Sequence, residues 1–251
     1  MTLLTPETFL AVFLIFCRIG GCLMVVPGFS SARIPAQVRL FLALAVTFAL
    51  SPLLLSLFQG RLADQPPAAT LGWILTESLT GLLIGLLGRI FLFVLETVMT
   101  AVTMAVGFSA IPGTTVEGTE PQSALVALIA MAATALLFAA DLHWELFRGL
   151  VESYGRIPPG EGIGAQAALV QIVDQATSVF VLGLRITSPF IVYAVVVNVA
   201  VGFANKLTPT IPVYFVATPF VIFGGLMLLY FLSNEFMMQF IGAYALWLRR
   251  G

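Results

Sequence analysis

Long apolar runs alternate with short stretches rich in glycine, proline and small polar residues along this chain. Six runs approach the roughly 20 apolar residues a helix needs to cross a bilayer: residues 9–26, 38–58, 71–88, 124–140, 186–204 and 213–232. Three further pieces, 90–106, 167–183 and 236–248, are shorter, interrupted or more amphipathic, and read as half-spans, re-entrant helices or surface helices. The pattern predicts an all-α chain of six to nine helical segments, some of them broken. The breaks fall at 27–35, 59–67, 107–121, 154–164 and 205–212, where turn-forming residues cluster. One long polar segment stands out: Asp141, His143, Glu145, Arg148, Glu152 and Arg156 interleave with Leu142, Leu146, Leu150 and Val151, the pattern of an amphipathic helix at a membrane interface.

Composition turns this pattern into a membrane assignment. Of the 251 residues, 60% are hydrophobic and 9% charged, against roughly 25% charged in an ordinary soluble domain. No soluble exterior can be built from so few charges, so lipid or partner subunits must cover the remainder. A formal net charge of -1, with charges scattered, carries no electrostatic footprint for nucleic acid. The start of the chain has neither a basic region nor a clear cleavage site, so the first run is expected to remain in the mature protein. Arg33 and Arg39 near the first break, with Arg249 and Arg250 at the end, place 27–39 and the C-terminus on the cytoplasmic side. Cys17 and Cys22 point to different helix faces and read as core residues, not a disulfide.

Five charges lie in or beside apolar runs: Glu77, Arg89, Glu96, Asp174 and Arg185. An ionised group at the bilayer centre costs at least about 2.5–3.5 kcal/mol, so each needs a partner or water. They form either a relay for protons or ions, or polar pairs between packed helices or subunits; scattered over several helices, they favour pairing. Arg89 and Glu96 are two turns apart and do not easily satisfy one another. Glu77, Thr80, Gly81, Ile84, Gly85 and Gly88 make one narrow, mostly small stripe containing a G-x-x-x-G pair, a surface for close helix approach and, with Glu77 on it, for a buried subunit contact. His143 is the single histidine, and no cysteine or carboxylate set surrounds it with metal-ligand spacing. No nucleophile elbow, P-loop or dinucleotide fingerprint is present, so the sequence offers no enzyme constellation and implies no cofactor.

The stretch GFSAIPGTTVEGTEP (107–121) is too irregular to face hydrocarbon, where its backbone polar groups would go unpaired. It is either a connection in water or a loop folded into a protein-lined cavity, with Phe108 and Ile111 filling space; Met104 lies just ahead of it.

Taken in order, these residues resemble the FliR family, the export-gate subunit of the bacterial flagellar type III secretion apparatus, related to injectisome SctT proteins. The resemblance covers nearly the whole chain. It rests on Arg18, on PGFSSARIPAQVRLFLAL (27–44) with Pro27, Pro35 and Arg39, and on Pro52 and the Glu77/Gly81/Gly85 stripe. It continues through VGFSAIPGTTVEGTEP (106–121), Pro189 and TPTIPVYFVATPFVIFGGL (208–226). One departure is Lys206 with Pro209-Thr210-Ile211-Pro212-Val213-Tyr214-Phe215, where the family carries an arginine and a Pro-Gln-Leu-Asn-Val-Phe-like run.

The resemblance implies one export-gate domain over 1–251, an all-α subunit of hydrophobic helical hairpins, in the bacterial inner membrane at the flagellar basal body. It would join FliP-like and FliQ-like subunits in a closed channel, work with FlhB-like and FlhA-like components, and pass unfolded exported proteins without being an enzyme. Arg18, Pro27, Pro35, Arg39, Glu77, Gly81 and Gly85 would serve subunit packing. Phe108, Ser109, Ile111, Pro112, Gly113, Glu117, Glu120 and Pro121 would belong to a plug loop in the lumen. The competing reading is an independent secondary transporter, with broken helices at Pro189 and Pro209–Pro212 and the charges Glu96 and Arg185 forming a midplane site; no internal repeat supports it.

Overall fold

A computed structural model describes residues 5–31, 34–58, 60–62, 66–107, 123–210 and 212–250. Among the described residues there are seven α-helices, one short 3-10 turn and no strand: α1 (Pro6–Leu23), α2 (Ala36–Leu54), the turn Leu55–Leu57, α3 (Pro67–Ala105), α4 (Ala124–Ala139), α5 (Leu142–Arg156), α6 (Ala165–Leu207) and α7 (Val213–Arg250). Five are long and apolar enough to cross a membrane. The α4–α5 pair, bent by 70°, makes six if counted as one span.

The three shorter apolar pieces are not separate elements. Residues 71–88 and all but the last of 90–106 lie on one 39-residue helix, α3; 167–183 and 186–204 on the 43-residue α6; and 213–232 and 236–248 on α7. The sequence pattern breaks there because Arg89, Arg185 and the polar run Ser233-Asn234-Glu235 interrupt hydropathy. A charged side chain interrupts hydropathy without interrupting backbone hydrogen bonding, so the helix continues through it.

Local chemistry accounts for the ends. Thr5 caps α1, its Oγ1 accepting from the Thr8 N–H at 3.3 Å, with Pro6 in the first turn and Glu7 beside the positive end of the helix dipole. Asp141, with φ 57°, turns the chain from α4 into α5 in the left-handed conformation that Asp tolerates better than most residues.

Two of the internal prolines, Pro52 and Pro189, are accommodated by a repeated device. A proline donates no hydrogen bond and so orphans the carbonyl four residues earlier. Pro52 in α2 and Pro189 in α6 both follow a serine. Ser51 Oγ donates to Phe48 O at 3.0 Å and Ser188 Oγ to Arg185 O at 2.8 Å, taking up the carbonyls the prolines leave. Helix α6 therefore runs through Pro189, and the broken helix that a transporter site would use is absent there.

The chain divides into two compact units, with α3, α6 and α7 contributing to each. Unit 1 comprises residues 1–90, 138–176 and 245–251. Its core is the face of α1 carrying Leu14, Ile15, Ile19, Cys22 and Leu23, with Leu54, Phe58, Leu87, Leu150 and Tyr154. The amphipathic pattern of α5 is realised here, with Leu142, Leu146, Leu150, Ser153 and Tyr154 on its buried face.

Unit 2 comprises residues 91–137 and 177–244, with Val98, Met99, Val102, Ala133, Phe190 and Phe240 buried. Phe91 packs edge-on to Tyr244 with ring centroids 5.1 Å apart, and Tyr193 Oη donates to Val221 O at 2.8 Å, tying α6 to α7. The most apolar window of α7 is only 6% buried, and Phe215, Phe220, Phe223, Tyr230 and Phe231 are exposed. An apolar surface of that extent requires lipid or protein cover.

Candidate functional site

The polar centre of unit 1 is a buried ion pair between helices. Arg18 on α1 and Glu77 on α3 are each 0% exposed. Arg18 Nε donates to Glu77 Oε2 at 2.6 Å and Nη2 donates to Oε1 at 3.0 Å, a two-pronged contact matched to the carboxylate plane. Two further guanidinium N–H groups are also placed: Nη1 donates to Ser153 Oγ at 3.2 Å and Nη2 to the Ile157 carbonyl at 3.1 Å. The Arg18 guanidinium carbon lies 3.9 Å from the centroid of the Tyr154 ring, within range of a cation–π attraction. Glu77 Oε1 accepts a further bond from the Gly160 N–H at 3.0 Å.

The pair therefore fastens the segment after α5 as well as α1 and α3. Gly160 adopts φ 82°, and a Cβ there would come within 2.6 Å of the Trp73 ring, so the backbone lies flat on α3 only because the residue is glycine. Arg61 Nη1 reaches the Pro159 carbonyl at 3.5 Å. Through these bonds the 157–160 segment is held to the same patch of α3 that binds α1.

Close helix packing brings the pair into register. A Cβ on Gly81 would overlap the Arg18 carbonyl, and one on Gly85 would lie 2.6 Å from the Cys22 carbonyl. The small stripe on α3 thus lies against α1 of the same chain, with Glu77 at one end of the contact. Among the expected packing residues, Arg18, Glu77, Gly81 and Gly85 come together in unit 1. Pro27 is buried in the turn after α1, Pro35 occupies the position before α2, and Arg39 Nε donates to the Ile34 carbonyl at 3.2 Å, folding back over the start of α2. Arg89 Nη1 donates to Ser30 Oγ at 3.1 Å. Asp174 and Arg185 are exposed and Glu96 is half-buried.

The plug-loop residues Phe108, Ser109, Ile111, Pro112, Gly113, Glu117, Glu120 and Pro121 lie outside the described residues. Met104, just before them on α3, is exposed. Among the described residues no group of three His, Cys, Asp or Glu side chains could hold a metal ion.

Sequence reasoning missed Ser153, Tyr154, Ile157 and Gly160 as parts of this centre. The signal available was Arg18: a lone cation within an apolar run needs an anion on another helix, as Glu77 needs a cation.

Tyr154 yields a test of how the centre is held. Its hydroxyl is buried and has no hydrogen-bond partner, while its ring carries the contact with Arg18 and an edge-on contact with Phe58 at 6.1 Å. Tyr154→Phe keeps the ring and removes an unsatisfied polar atom, so thermal stability in detergent should hold or rise, by up to about 1 kcal/mol. Tyr154→Ala should lower it by about 3–5 kcal/mol.

The comparisons agree with the layout of the chain. Residues 9–246 match the family model described as "Bacterial export proteins, family 1". A protein of Caulobacter vibrioides named "Flagellar biosynthetic protein FliR" is 30% identical over 220 residues, covering 86% of this chain and 85% of that one. Proteins of the same name from Aquifex aeolicus and Escherichia coli are 26% and 24% identical, covering 91% and 84% of this chain and 88% and 80% of their own lengths. With the match running through all seven helices, the chain belongs to family 1 of the bacterial export proteins.

Proposed function

We propose that this chain is a non-enzymatic gate subunit of the flagellar type III export apparatus. In this reading its two units act as one domain in the bacterial inner membrane, beside FliP-like and FliQ-like subunits, with FlhB-like and FlhA-like components nearby. Unfolded flagellar proteins pass through the channel that these subunits enclose. The observation that carries the reading is similarity to proteins named as flagellar biosynthetic FliR over more than four-fifths of the chain.

Physical chemistry supports it in two further ways. The exposed apolar faces of α6 and α7, among them Val192, Val196, Phe203, Phe220 and Tyr230, are too extensive for a protein standing alone in water. The loop 107–121 joins two apolar helices yet is too irregular for lipid, so a protein-lined lumen suits it. Apolar side chains such as Phe108 and Ile111, packed across a narrow pore, exclude water and ions, and glycines on either side let the loop yield to a passing chain.

Deleting 110–116 should leave the complex assembled while the membrane leaks small ions and solutes, and Phe108→Ala should leak less. Conductance or small-solute influx in cells expressing the full channel, with assembly checked in parallel, measures this. An assembled deletion complex as tight as wild type would make the loop an ordinary connector.

A further inference from the structure

Unit 1 contains a cavity of about 100 Å³ that borders the ion-pair centre, with Ser153 and Ile157 lining it. At a water molecule's share of liquid volume, about 30 Å³, this is room for roughly three water-sized groups. Its walls are Leu83 and Leu87 of α3, Leu146 of α5 and Leu248 of α7, with Gly149 and Trp247 also among the lining residues. One charged residue lines it, the cation Arg156 at the end of α5, and no acidic side chain does. Arg156 is exposed, as is Gln171, which also lines the cavity. The space is therefore amphipathic: an aliphatic interior with a guanidinium and an amide where it meets the surface.

We propose that this cavity is a binding site for an anionic phospholipid, with the end of one acyl chain among Leu83, Leu87 and Leu146 and the phosphate on Arg156. Charge selects the ligand class. A zwitterionic lipid adds a cationic headgroup beside Arg156, whereas an anionic headgroup meets a guanidinium suited to two-pronged phosphate contact. Trp247 suits the same boundary, since indole rings favour the level of lipid headgroups. Glu152, the nearest acid along α5 to Arg156, is engaged by Arg148, whose Nε lies 2.9 Å from Glu152 Oε1, and Glu145 is engaged by Arg249 at 3.3 Å. The site joins α3, α5 and the end of α7, so an occupied cavity braces three helices of unit 1. The proposal rests on the membrane character of the chain and not on its role as a gate.

The test uses the full chain in its assembled complex, in phosphatidylcholine vesicles containing a minor fraction of phosphatidylglycerol with a photoactivatable acyl chain. After illumination, labelled residues are mapped by mass spectrometry. Label should appear on 83–87 and 146–149, fall roughly tenfold in Arg156→Gln, and vanish in Gly149→Leu, whose side chain fills the cavity. Arg185→Gln, which removes an exposed cation of unit 2 that does not line the cavity, should label like wild type. Equal labelling by photoactivatable phosphatidylcholine, labelling by a photoactivatable fatty acid alone, or full labelling of Arg156→Gln would each overturn the proposal. If Gly149→Leu fails to assemble, Arg156→Gln decides, because its side chain is exposed and its loss leaves the core intact.

Discussion

Replacing Glu77 with alanine is expected to remove most of the folded chain from the membrane. The substitution leaves the Arg18 guanidinium fully buried without its carboxylate, and stranding one member of a buried ion pair costs about 3–5 kcal/mol. Set against a total stability of about 5–15 kcal/mol, that loss is decisive. Arg18→Ala should be similarly damaging, since the carboxylate is then the stranded charge. The double variant Arg18→Met with Glu77→Leu separates causes. Removing both charges eliminates the stranded ion, so the double variant should accumulate better than either single one. It should still fall short of wild type, because the Gly160 N–H and the Ile157 carbonyl lose partners, at about 1–3 kcal/mol for each group left unsatisfied. The measurement is folded yield and melting temperature by size-exclusion in mild detergent. A double variant as poor as the singles would show that the geometry of the whole cluster, not the stranded charge, sets the cost.

Gly81→Ala is expected to be nearly as severe, although it adds one methyl group. The new Cβ overlaps the Arg18 carbonyl, part of the α1 backbone, which cannot rotate away as a side chain could. The helices must separate, which costs about 1–3 kcal/mol or more and disturbs the contacts of the adjoining Arg18 and Glu77. Gly81→Leu should abolish folding. Gly72→Ala supplies the control on the same helix: nothing lies within 4 Å of its added Cβ, so it should be neutral or gain the roughly 1 kcal/mol by which alanine favours a helix over glycine. Equal yields for Gly72→Ala and Gly81→Ala would mean that α1 and α3 are not in close contact.

The two glycines show what a sequence can and cannot disclose. Their spacing marked α3 as a helix that packs tightly, because small residues four apart make a groove whatever fills it. The occupant was not legible. A subunit was expected there, and within this chain the groove holds α1, since the choice depends on how Gly21 and Cys22 of α1 meet Gly81 and Gly85 across the turn of the chain.

The helix type was legible almost everywhere, because apolar runs of this length have few alternatives, and the amphipathic α5 followed from its period. The seven helices fall within the six to nine expected, but their lengths were less legible: Arg89, Arg185 and the 233–235 run mimic loop ends in a hydropathy pattern yet sit inside helices. Gly160 looked like an ordinary loop glycine in YGRIPPGEGIG. Its hydrogen bond to Glu77, a residue 83 positions away, is tertiary information that no local pattern contains.

The central claim, that unfolded protein passes this chain, is tested most directly by contact with a passenger. A photo-crosslinking amino acid replaces Phe108 in the full apparatus, and an export substrate is stalled in transit by a tightly folded domain fused to its C-terminal end. The account predicts a crosslink between position 108 and the stalled substrate that disappears when the substrate is released or withheld. Crosslinks to neighbouring subunits alone, with substrate demonstrably stalled in the channel, would contradict it.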